Sequence, residues 1–288
     1  ENFKENIMIA YKFDYKVANS IEEAFSMLSS AGDAGSFISG GHSLVPAMKL
    51  RLAEPEILID ISKIPGMSGV AIEDGVITIG GLVTHAEVAS SDIVKESCPG
   101  LAECAGVIGD AQVRNKGTIG GNVAHADPGS DYPGALIAFG ATICLSSSEG
   151  SREVAAENFF TGLFDTAKEQ GEIVTAVKVP VASSSAYAKF PNPASRYAVV
   201  GVGVALNMEN GTCQSITIGV TGAADHAYRA IESESILNGS ELEENNIEKA
   251  ASAVSESKEM MNDLVASADY RAHLCGVMLK RAIAKAKS

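Results

Sequence analysis

Thr118-Ile119-Gly120-Gly121-Asn122-Val123-Ala124-His125-Ala126-Asp127-Pro128-Gly129-Ser130-Asp131 is the stretch on which the reading of this 288-residue chain turns. Its first half sets two adjacent glycines among hydroxyl and amide side chains, so the backbone N–H groups are expected to be bare and open to an anionic group. Its second half runs from Asp127-Pro128 through Ser130-Asp131 into Ala135-Leu136-Ile137-Ala138-Phe139, the pattern of a capped helix start. A helix N-terminus adds partial positive charge to such a cradle. Taken alone, the stretch also fits a tight turn whose glycines supply positive φ and whose Asp caps a helix.

A second Gly-Gly segment, Ser39-Gly40-Gly41-His42-Ser43-Leu44, follows the strand-like Ser36-Phe37-Ile38. Two hydroxyl-bearing Gly-Gly turns can face one pyrophosphate. Neither belongs to a Gly-x-Gly-x-x-Gly dinucleotide fingerprint or a P-loop. Gly201-Val202-Gly203 comes nearest to the former, but position 206 is leucine.

Outward from these loops, the chain alternates helical and strand signals. Ser20-Ile21-Glu22-Glu23 reads as a capping box opening a helix that carries Ile21, Ala24, Phe25 and Leu28 up to Gly32. Val70 to Gly80 reads as a hairpin turning at Asp74-Gly75, and Thr84-His85-Ala86-Glu87 as a second capping box. Pro99 opens a further helix. Residues 141–145 and 172–179 read as strands, and Ala182-Ser183-Ser184-Ser185 as a linker. A second hairpin turns at Asn210-Gly211, and three helical stretches close the chain. The last of these places Tyr270, Leu274, Val277 and Met278 on one face.

Composition narrows the function classes. With 46% apolar and 20% charged residues the chain is long enough for a large domain or two to three smaller ones. A formal charge of −14 excludes a basic nucleic-acid surface, so an anionic ligand has to be held by backbone dipoles. No apolar run approaches the roughly 18 to 20 residues that span a bilayer, and no signal-peptide pattern opens the chain. A cytoplasmic protein is expected, with residues 1–7 preceding a native start at Met8. Cys98, Cys104, Cys144, Cys213 and Cys275 are scattered, contain no Cys-x-x-Cys and read as buried thiols. His125-Ala126-Asp127 with Asp131 matches no zinc pattern, and Asp127 serves better as a helix cap; no metal site is expected. Lys49 and Arg51 read as a solvated basic pair, and no nucleophile elbow or acid–base dyad is visible.

Gly40-Gly41-His42-Ser43-Leu44, Thr118-Ile119-Gly120-Gly121-Asn122 and Asn192-Pro193-Ala194-Ser195-Arg196-Tyr197-Ala198-Val199-Val200 together resemble the FAD-binding medium subunits of molybdenum hydroxylases, those of the carbon monoxide dehydrogenase type among them. The resemblance covers nearly the whole chain. It implies an α+β protein: a two-lobed FAD-binding domain of the vanillyl-alcohol-oxidase/PCMH type over residues 8–181, followed by a smaller α+β C-terminal domain over residues 186–288. The first lobe would run to about residue 61 and the second over 62–181.

Carried over residue by residue, Gly40, Gly41, His42, Ser43 and Leu44 match the family's first FAD loop, and Thr118, Gly120, Gly121 and Asn122 its second. Ser130 and Asp131 match polar positions that help hold the ribityl and phosphate portion, Val174 an apolar position near the isoalloxazine, and Lys189 a basic one near it. Tyr197 matches an aromatic that covers the flavin ring. The chain departs from many relatives by carrying Ser195-Arg196 where they have Gly-Asp. Read from residue type alone, Val174 is equally a core residue and Lys189 a surface lysine.

The resemblance further implies partners: a large molybdenum-cofactor subunit and a small subunit with [2Fe–2S] clusters, in a dimer of heterotrimers. Five dispersed cysteines build no cluster alone, so the clusters belong to the partner. Electrons would leave to an external acceptor, a quinone, a cytochrome or NAD. Two other readings stay open, a self-sufficient flavin oxidoreductase and a cofactor-free scaffold.

Overall fold

The computed structural model describes residues 8–256 and 258–288; the expectation about residues 1–7 lies outside them. A small parallel sheet of β1 (Asp14–Val17), β2 (Gly35–Ile38) and β3 (Ile57–Asp60), in order β1-β3-β2, opens the fold. The helix Ile21–Ala31 connects β1 to β2. Ser20 Oγ accepts from its Glu23 N–H at 3.2 Å, while Glu23 reaches back to Asn19 N–H at 2.7 Å, so the expected box is displaced by one residue. The core of this first lobe, around Ala18, Ala24, Ile59 and Ile61, is completed by Met67, Leu82 and Ile173 from later in the chain.

The second sheet is antiparallel. It contains β4 (Val70–Glu73), β5 (Val76–Gly80), β6 (Thr142–Ser147), β7 (Gly150–Ala155) and, after a short hairpin of β8 (Phe160–Gly162) and β9 (Asp165–Thr166), β10 (Ile173–Pro180). β10 inserts centrally to give the order β4-β5-β10-β6-β7. Asp74 and Gly75 take φ of 49° and 76°, the positive pair that a tight two-residue hairpin requires.

β11 (Ser185–Pro191), β12 (Ala198–Glu209), β13 (Thr212–Thr221) and β14 (Tyr228–Arg229) form an antiparallel meander, with Asn210-Gly211 as its turn. Ser185 begins β11 instead of ending a linker: it is buried, and its hydroxyl accepts from Gly100 N–H at 3.1 Å. The helices Ile231–Leu237, Glu244–Ala253 and Ala268–Ala286 cover this sheet. Leu274 and Met278 are buried as expected. Tyr270 is half exposed, meeting Phe190 edge-on, and so leaves the buried face.

One helix joins the second lobe to the C-terminal sheet. Asp131–Ala138 is buried along its whole length and lies on β12 and β13. The approach is so close that a Cβ on Gly219 would stand 2.0 Å from the Gly134 carbonyl oxygen. Among the described residues no helix is long and apolar enough to cross a membrane.

Candidate functional site

The two Gly-Gly segments face each other across a cleft of about 1070 Å³, reached by all three sheets' loops. Ser39 Oγ and Thr118 Oγ1, 3.1 Å apart, tie the segments together at their base.

The first wall is the segment between β2 and the short helix Leu44–Lys49. Gly41 holds φ at 72°, a left-handed conformation that suits glycine. Among the described residues, the N–H groups of Gly40, Gly41, His42 and Ser43 donate to no protein acceptor, leaving a run of consecutive donors beside a helix N-terminus. His42 is exposed and folds its ring back on the turn, Nδ1 lying 3.2 Å from Gly40 O.

The second wall differs from expectation. Ile119–His125 is a helix with Thr118 as its cap, and its first amides are already spent. Ile119 N–H donates to Val83 O, Gly120 N–H to Gly81 O, Gly121 N–H to Thr118 Oγ1 and Asn122 N–H to Thr118 O, all at 2.9–3.1 Å. Gly120 is required by packing, since a Cβ there would meet Gly81 O at 2.6 Å. Both glycines line the cleft, Gly120 buried and Gly121 exposed beside Thr118 Oγ1 and Ser39 Oγ. The anion donors therefore concentrate on the first wall, and the second supplies hydroxyl and amide side chains.

Ser130 occupies the cap position of the helix Asp131–Ala138 without a capping bond. Its hydroxyl donates to Asn122 Oδ1 at 2.6 Å, which aims the Asn122 amide nitrogen away from it. Asp127, expected as the helix cap, instead closes its own turn by accepting from Gly129 N–H at 2.8 Å. Asp131 is buried; Tyr187 Oη and Lys189 Nζ each donate to it at 2.8 Å, and Lys189 also donates to Val107 O. Burial pushes the Asp131 carboxyl up, against the pull of the Lys189 ammonium and the Tyr187 hydroxyl. Lys189, 5% exposed, is no surface lysine: it stands behind Asp131 and does not line the cleft.

Val174 is buried and lines the cleft where β10 passes the Ile119–His125 helix. Tyr197 lies at the opposite rim with its ring half exposed, held by Asn192 N–H donating to its carbonyl at 2.8 Å. Lys49 and Arg51 stay out of the cleft; Arg51 stacks on Tyr11, 4.3 Å from the ring centroid.

Two lining groups escaped the sequence reading. His85 is buried against Tyr132, ring centroids 5.3 Å apart, and its Nδ1 has no partner among the described residues. Burial, with smaller contributions from His42 and Arg114, lowers its pKa to about 4, so the ring is neutral. Its signal was masked because Thr84-His85-Ala86-Glu87 is fully accounted for as a capping box. At the far end Glu172 accepts from Arg152 Nε and Nη2 at 2.6 and 2.8 Å, and burial pushes the neighbouring Lys168 ammonium down. Among the described residues no three His, Cys, Asp or Glu side chains gather as a metal site.

Free amides on one wall, hydroxyl and amide side chains on the other, an apolar floor at Val174 and an aromatic rim at Tyr197 fit a phosphate-bearing cofactor with a planar ring. Comparison with known proteins agrees. Residues 11–182 match the family described as FAD binding domain in molybdopterin dehydrogenase, and residues 185–286 the CO dehydrogenase flavoprotein C-terminal domain. The carbon monoxide dehydrogenase medium chain of Hydrogenophaga pseudoflava is 37% identical over 279 residues, 96% of this chain and 97% of its own. The glyceraldehyde dehydrogenase medium chain of Sulfolobus acidocaldarius is 36% identical over 273 residues, 94% of this chain and 97% of its own. A crystal structure of Cu,Mo-CO dehydrogenase has a chain that superposes with a TM-score of 0.93 at 37% identity, covering 97% of this chain and 99% of that one. With matches over both halves and nearly full-length relatives, the chain belongs to the FAD-binding medium subunits of the carbon monoxide dehydrogenase and molybdenum hydroxylase family, flavoprotein components of oxidoreductase complexes.

Proposed function

We propose that this subunit relays electrons from the [2Fe–2S] clusters of a small partner subunit, themselves fed by a large molybdenum-cofactor subunit, to an external acceptor. The observation that carries the reading is the run of unbonded amides from Gly40 to Ser43 facing Thr118 and Gly121 across one cleft. These N–H groups, with the start of the helix at Leu44, would hold the FAD pyrophosphate through backbone dipoles. Thr118 and Asn122 would offer polar contacts from the opposite wall, with Ser130 orienting Asn122. Gly120 lets that wall approach β5, and Gly121 keeps it open. Val174 would pack on the ring system and Tyr197 cover it at the rim. The Asp131–Lys189–Tyr187 cluster would act behind the wall, fixing the helix that bears Asp131.

Bound FAD supplies the exchange between two-electron and one-electron chemistry; the chain contributes binding, orientation and the surrounding charge. Residues 8–181, in lobes 8–61 and 62–181, would form the FAD domain and residues 186–288 the appended one. The relatives' designation as medium chains supports a heteromeric assembly, a dimer of heterotrimers in this proposal. Identification of the chains that copurify with this one tests the partners. Recovery of the chain free of molybdenum and cluster subunits, with FAD reduced directly by substrate, would remove the relay reading.

A further inference from the structure

The rim of the cleft beside Tyr197 carries an arrangement of charge that the FAD site does not use. Arg114 Nη1 donates to Ile108 O and to Gly109 O, both at 3.0 Å. Arg196 Nη1 reaches the same Gly109 carbonyl from the other side, at 3.5 Å. Two guanidinium groups thus converge on one carbonyl oxygen. Among the described residues neither meets a carboxylate within 4.0 Å. One carboxylate, Asp110, accepts from Val113 N–H at 2.9 Å as a helix cap and, with smaller pulls from Arg196 and Arg114, is held below the usual carboxylate range, leaving two guanidinium groups to one acid here.

Two further observations set this pair apart from an ordinary surface cluster. Arg196 is held at φ 63°, a left-handed conformation uncommon for arginine, and this turns the residue onto the rim. Gly109, Ser195, Arg196 and Tyr197 all line the same cleft. In a chain of net charge −14, this is a local reversal of sign at the opening of a redox site.

We propose that Arg196 and Arg114 form the docking point for a small anionic electron acceptor, an oxidant bearing phosphate, carboxylate or a comparable negative group, at the mouth of the cofactor cleft. The inference rests on the reading of the chain as an FAD-binding relay. The acceptor's charge would sit between the guanidinium groups, relieving their mutual repulsion, while its oxidising part faces the ring beside Tyr197. With ferricyanide as the probe, two ions each take one electron from one reduced flavin and become ferrocyanide, and the flavin proton passes to solvent.

The test uses the full FAD-loaded chain, reduced photochemically under anaerobic conditions and mixed in a stopped-flow instrument with ferricyanide or with neutral para-benzoquinone. Arg196→Asn, a residue tolerant of the left-handed conformation, removes the charge; Arg196→Lys keeps it. At about 0.1 M ionic strength, losing one positive charge several ångströms from a trivalent anion should slow ferricyanide about five-fold. Arg196→Lys should restore the rate, para-benzoquinone should not respond, and salt near 1 M should erase the difference. A calorimetric titration of ferrocyanide onto the oxidised flavoprotein should show weaker binding by a similar factor in Arg196→Asn. Equal rates, or equal slowing with both oxidants, would overturn the proposal. So would loss of FAD from Arg196→Asn, which would assign the pair to the cofactor itself. Failure of the unsubstituted chain to bind FAD would instead defeat the underlying functional reading.

Discussion

Substitution at Gly41 and at Gly120 should fail for different reasons. At Gly41 the obstacle is the φ of 72° and the carboxylate itself: Gly41→Asp sets a negative charge among the free amides. FAD should be lost from a chain that still folds, destabilised by about 1–2 kcal/mol. At Gly120 a methyl group would press on Gly81 O, so Gly120→Ala should lower stability by about 2 kcal/mol or more, with cofactor loss only as a consequence. Flavin absorbance and scanning calorimetry on both variants separate the two cases. His85 gives a pH dependence. Its folded pKa of about 4 lies below the ordinary 6.5, so between those values the unfolded chain takes up a proton that the folded chain refuses. Stability should be full above pH 6.5 and fall as pH drops toward 4, by up to about 3 kcal/mol at roughly 1.4 kcal/mol per pH unit. Denaturant midpoints at pH 7 and 4.5 should therefore diverge less in His85→Gln than in the parent chain; identical divergence would place the acid sensitivity elsewhere.

Between elements, the decisive contact is the seating of the helix Asp131–Ala138 on β12 and β13. Gly219→Val would push the helix off the sheet and is expected to lower the melting temperature by ten degrees or so, at several kcal/mol. Arg152→Ala removes both guanidinium bonds from the Glu172 carboxylate and leaves it the Glu169 N–H as donor, so the melting temperature at neutral pH should fall. Circular dichroism melts check both. Which elements were legible follows from where their information lies. Asp74-Gly75 and Asn210-Gly211 announce their hairpins because the positive φ they need is a property of those two residues. The helix Ile119–His125 was not legible, because Gly120 and Gly121 are poor helix formers. It is held by Thr118 and by the carbonyls of Val83 and Gly81, partners distant in sequence. Ser185 looked like linker for the same reason, its hydroxyl meeting Gly100 N–H and Cys98 Sγ, partners far away in sequence. The site's first wall could be read locally, since Gly41 and its neighbours act through their own backbone. The burial of Lys189 could not, being set by Asp131, 58 residues away.

At the scale of the whole molecule, the isolated subunit is expected to keep its flavin oxidised when mixed anaerobically with carbon monoxide, aldehydes or N-heterocycles, and to be reduced by them only after the cluster and molybdenum subunits are added. Flavin bleaching followed in both mixtures checks this; rapid bleaching without partners would favour a self-sufficient flavoenzyme. The dependence of the first lobe on Leu82 and Ile173 for its core has another result. That lobe owns the wall with the free amides, yet borrows part of its own interior from the neighbour across the cleft. A cofactor gripped by both walls is then a clasp, and free FAD sets how firmly it is shut. At a hundred times its dissociation constant the gain would be about 2.7 kcal/mol, and it would decline as the cofactor is diluted. A protease offered the FAD-free chain should accordingly cut within residues 8–61 first, and added FAD should protect that region before any other.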